Sequence, residues 1–84
     1  MEQSLGYLRE ILAAHTEDDV VGKKIYQRIR NRDYKDEHQF VMELSQEEST
    51  YLNQILKEAI DYSRQEQDYE RMQQLNDVYE QLFV

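Results

Sequence analysis

Cysteine, tryptophan and proline are absent from this chain of 84 residues, and glycine occurs only twice. Without thiols there can be no disulfide, thiolate zinc site, iron–sulfur ligand or cysteine nucleophile, so stability must come from packing, helix formation or association. With almost no Gly or Pro to punctuate it, and with abundant Glu, Gln, Leu and Arg, the chain has a helix-biased composition. Long apolar runs are missing as well: the longest is Ile11-Leu12-Ala13-Ala14, far short of a membrane span. The opening Met1-Glu2-Gln3-Ser4 has neither a basic stretch nor an apolar core, so a soluble, cytoplasmic protein is expected, with no membrane partner.

The same scarcity limits the chemistry. Phosphate cradles need glycine-rich turns, and Gly6 and Gly22 stand isolated within helical patterns. Neither a His-Glu-x-x-His motif nor paired Glu-x-x-His motifs occur, and His15 and His38 read as exposed or half-exposed side chains. Of the four serines, Ser4 and Ser45 read as helix caps and leave no nucleophile with a base at hand. No catalytic residue, metal ligand or cofactor is expected, and the chain is not read as an enzyme.

What is present is helical spacing. Leu5, Leu8 and Leu12 recur at i, i+3 and i+7, predicting a first helix over about 5–14 capped by Ser4. Thr16, followed by Glu17, Asp18 and Asp19, predicts the start of a second over about 17–31, with Val21, Ile25 and Ile29 on one face. Ser45-Gln46-Glu47-Glu48 is an S-x-x-E capping box, and Leu52, Ile55, Leu56 and Ala59 continue the stripe to about residue 63. Six polar residues, Ser63 to Asp68, then interrupt it before Tyr69, Met72, Leu75, Tyr79, Leu82 and Phe83 resume. A helical hairpin turning near 64–68, with Asp68 as N-cap, is favoured over one long helix, which would leave the resumed stripe without an intramolecular partner. Between them, Gln39-Phe40-Val41-Met42-Glu43-Leu44 alternates well enough for a short extended segment near 39–44. The expected fold is all-α: a single helical domain over 1–84 with three or four helices and a C-terminal hairpin.

Charge is sorted along the chain. The net charge is -8, yet residues 23–35 carry +5 and residues 36–84 carry -9. Lys24, Arg28 and Arg32 recur every four residues, a cationic ridge if the segment is helical, with Lys23 and Arg30 beside it. Seven tyrosines are present, and Tyr62, Tyr69 and Phe83 share a spacing of seven or its multiple. Tyrosine suits a surface that is buried in a complex and tolerable in water. Lys23, Lys24, Arg28, Arg30, Arg32, Tyr62 and Tyr69 are therefore the expected partner-binding residues. A chain this small buries barely enough apolar surface to fold alone, which favours association.

These features predict a non-catalytic protein-interaction module, a small regulator or adaptor working as a homodimer or within a complex. The alternative is an acidic mimic of nucleic acid that occupies a DNA- or RNA-binding protein. Direct contact with nucleic acid is not expected, because a net charge of -8 opposes approach to a polyanion.

Overall fold

The computed structural model describes residues 3–17 and 19–82, and these form five helices and no strand. They are α1 (Gln3–Ala13), α2 (Val20–Asn31), α3 (Glu37–Met42), α4 (Gln46–Gln65) and α5 (Tyr69–Gln81). The all-α expectation holds. Asp18 and Phe83, which figure in the acidic helix start and the aromatic spacing, lie outside the described residues.

Most of the stripe positions are buried, but Tyr69 at the start of the α5 stripe is exposed, and Val21 and Met72 are only half-buried. Leu5, Leu8 and Leu12 of α1, Ile25 and Ile29 of α2, Leu52, Ile55, Leu56 and Ile60 of α4, and Leu75 and Val78 of α5 join one hydrophobic cluster. α4 and α5 form the hairpin and pack most extensively on each other, α1 lies across α5 and α2, and α3 closes against α5. Asp68 caps α5 by accepting from Arg71 N at 3.2 Å. The turn between α4 and α5 is a Schellman closure: Asp68 N donates to Ser63 O at 2.9 Å and Gln67 N to Arg64 O at 3.1 Å. Gln67 takes the left-handed conformation, φ 60°, that this closure requires.

Three local expectations are corrected. Ser4 is not a cap: it lies inside α1, fully buried, and its hydroxyl donates to Glu37 Oε1 at 2.7 Å. Thr16 does not start α2 either, because its hydroxyl turns back to Ala13 O at 3.2 Å, while Asp19 accepts from Val21 N and Gly22 N at 3.0 and 3.3 Å. The extended segment near 39–44 is instead the short helix α3. Asp36 caps it through Gln39 N at 2.9 Å, and Phe40 alone of its residues is buried. One inward aromatic per turn satisfies the same apolar pattern as an alternating strand, and a helix needs no mate for its backbone.

Candidate functional site

The cations of α2 divide into two groups. Arg28 faces α4 and grips Glu48 at two points, Nη1 to Oε1 at 2.9 Å and Nη2 to Oε2 at 2.7 Å. Glu48 is nearly inaccessible and its Oε1 also accepts from Ser45 N at 2.9 Å, completing the capping box of α4. Burial alone would raise the Glu48 carboxyl, but the hydrogen bonds from Arg28 and Ser45 hold it below its ordinary value. The Arg28 guanidinium is pushed up, first by its hydrogen bond to Glu48 and against the effect of burial. Arg32 pairs with the Glu43 carboxylate and lies 5.1 Å from the centre of the Tyr34 ring, whose hydroxyl donates to Glu43 Oε1 at 3.2 Å. Burial, followed by the Glu43 carboxylate, pushes the Tyr34 phenol up. Tyr34 in turn packs edge-on against Phe40, with ring centres 5.4 Å apart. Two members of the predicted ridge thus tie α2 to the junction of α3 and α4.

Lys23, Lys24 and Arg30 form the second group. All three are exposed, and among the described residues none of them has a carboxylate partner. Positions 23, 27 and 30 share one helix face, so Lys23, Gln27 and Arg30 make an outward strip with Lys24 alongside. Lys35 follows as an exposed cation beyond the end of α2.

The aromatic candidates lie elsewhere. Tyr62, near the end of α4, and Tyr69, the first residue of α5, are 62% and 59% exposed. They flank the hairpin turn, on different elements from the α2 cations.

One cluster carries no obvious mark in the sequence. The Tyr51 ring of α4 packs under the start of α2, so close that a Cβ on Gly22 would lie 2.5 Å from its hydroxyl and 3.0 Å from His15 O. The hydroxyl is buried without a hydrogen bond of ordinary geometry, and the phenol is pushed up by burial and then by the nearby Asp19 carboxylate. Isolated Gly22, in a helical pattern, was the single hint of a close approach. Among the described residues, no group of three or more His, Asp or Glu could hold a metal ion, and no helix is long and apolar enough to cross a membrane.

Comparison with known proteins adds a relationship that covers nearly the whole chain. A family model described as "CsgA: Minor curli fiber component A" matches residues 1–83. The "Sigma-G-dependent sporulation-specific SASP protein" of Bacillus subtilis (strain 168) is 40% identical over 82 residues, covering 98% of this chain and 99% of that protein. No solved structure matches. The exclusion of a direct nucleic-acid partner is corrected at this point: the relative is titled a SASP protein, and net charge alone is not a sufficient ground for the exclusion. Net charge sums the whole surface, whereas a phosphate backbone meets only the face turned towards it.

Proposed function

The chain belongs to the family described as "CsgA: Minor curli fiber component A", and from its Bacillus subtilis relative we propose that it is a non-catalytic protein made during sporulation that associates with nucleic acid through the outer face of α2. The observation that carries the reading is the division of the α2 cations. Arg28 and Arg32 are paired with carboxylates of the fold, while among the described residues Lys23, Lys24 and Arg30 have no carboxylate partner and are exposed, with Gln27 as a neutral donor among them. Backbone phosphates are recognised by such charges without base reading. With Lys35 added, about four phosphate contacts give a salt slope near -3.6. The remaining acidic surface repels the same polyanion, so the association is weak, independent of sequence and confined to low ionic strength.

The family description and the relative's title point in different directions, one to a fibre and the other to a SASP protein. A fibre grown by strand addition needs an open sheet edge, and the described residues contain no strand. The helical fold therefore supports the second direction.

Titrating a fluorescent DNA duplex with the protein across a salt series tests the reading. Binding that weakens steeply with salt is expected, with most of it lost in a Lys23→Glu, Lys24→Glu, Arg30→Glu variant of unchanged helicity. No binding at low salt, or equal binding by the variant, would overturn it. A second reading, the acidic mimic, is favoured by the net charge of -9 on residues 36–84. It predicts the converse result: no affinity for DNA, and competition with DNA for a basic protein.

A further inference from the structure

Helices α1, α4 and α5 leave an open groove of about 320 Å³ between them, remote in chemistry from the lysines of α2. Its floor is apolar: Ile11 and Ala14 come from α1 and the residue after it, and Ile55 and Ala59 from α4. The exposed ring of Tyr62 stands at one lip. Two carboxylates line the groove, Glu10 on α1 and Glu58 on α4, together with one cation, Arg71 of α5, and His15. Among the described residues Glu58 meets the neutral amide of Gln54, at 3.2 Å, and no cation. Glu10 is two-thirds exposed and has a distant partner, Arg71, at 3.9 Å, whose guanidinium is also drawn over the Tyr7 ring.

We propose that this groove receives an amphipathic helix of another protein, one that carries Lys or Arg along the edges of its apolar stripe. The apolar lining, the excess of carboxylates over the single Arg71, and the Tyr62 ring each fit a part of that occupant. The Ile and Ala floor takes apolar side chains in the helix-in-groove mode, and the small Ala14 and Ala59 leave the depth for them. The two carboxylates match cations on either edge, and the open face of Tyr62 suits a guanidinium or ammonium. The field of a chain with net charge -8 draws the same partner in and repels acidic ones.

The test is fluorescence anisotropy with a labelled amphipathic Leu/Lys helix peptide as the probe, read on the full chain. Two variants address the groove. Glu10→Gln with Glu58→Gln should weaken binding by about tenfold, and Ala59→Trp, which fills the floor, should weaken it at least as much. Glu47→Gln with Glu80→Gln removes the same charge from exposed positions outside the groove, and its affinity should equal that of the parent. The Lys23→Glu, Lys24→Glu, Arg30→Glu variant should bind the peptide undiminished, which separates this proposal from the nucleic-acid reading. Equal weakening by both Glu→Gln pairs would reduce the effect to net charge and overturn the proposal. So would sedimentation showing that the protein alone forms a dimer that Ala59→Trp dissociates, since a second copy would then be the occupant. Circular dichroism on each variant confirms that helicity is kept; if Ala59→Trp unfolds, the comparison of the two Glu→Gln pairs decides.

Discussion

Arg28 and Glu48, twenty residues apart, meet in a two-point ion pair that joins the last turn of α2 to the first turn of α4. The pair is unevenly hidden: the Arg28 side chain keeps about a quarter of its surface in water, whereas Glu48 keeps almost none. Removing the arginine therefore strands a carboxylate that solvent cannot reach.

For Arg28→Met the expected loss is about 2–3 kcal/mol, somewhat below the ~3–5 kcal/mol for a fully buried pair because water reaches one partner. Adding Glu48→Gln removes the stranded charge yet keeps an oxygen to accept from Ser45 N. The double variant should accordingly be more stable than Arg28→Met alone. Urea denaturation of the three proteins checks this; coincident midpoints for the single and double variants would show that the charge is not what costs stability.

The same pair sets an acid limit. The folded state holds the Glu48 carboxyl below its ordinary value of 4.5, so the unfolded chain takes up a proton first as pH falls. The stabilisation is complete above that ordinary value and disappears as pH drops through the lower folded one. Thermal melts of the parent and of Glu48→Gln should differ most near neutrality, and the gap should close as pH falls below the ordinary carboxylate value. A gap of constant width would contradict the assignment.

Local grammar made the helices legible, and distance hid what joins them. Ser45, Glu48 and Asp68 do their capping with partners three residues away, which is why the start of α4 and the hairpin could be read directly. Ser4 looked like a cap because its real partner, Glu37, lies 33 positions on and is itself bridged to Gln81 at 3.0 Å. The helix α3 was obscured by a pattern that suits one helical turn as well as a strand. For the candidate site, clustering of cations in residues 23–35 was evident, but which of them are free was not. Periodicity grouped Lys24, Arg28 and Arg32, whereas tertiary pairing with Glu48 and Glu43 separates them. Glu48 was already recognisable as a capping residue, and nothing local announced its second role.

Gly22 offers a test in which intrinsic propensity and packing disagree in sign. In an exposed helix interior, Gly→Ala stabilises by about 1 kcal/mol. Here the added Cβ would sit 2.5 Å from the Tyr51 hydroxyl, 3.2 Å from its ring carbon Cζ and 3.0 Å from the backbone oxygen of His15. The ring belongs to the long helix α4 and the carbonyl to the turn before α2, so neither yields easily, and overpacking of this kind costs about 1–3 kcal/mol. Gly22→Ala should therefore destabilise the protein. Tyr51→Phe deletes the closest of the three contacts along with a buried hydroxyl that has no hydrogen bond of ordinary geometry, so by itself it should be close to neutral. On that background Gly22→Ala should cost less, and the difference between the two costs is the coupling energy of the contact. Denaturation of the four proteins in the cycle measures it; if Gly22→Ala raised stability in the parent, the approach of Tyr51 to α2 would have to be looser than described.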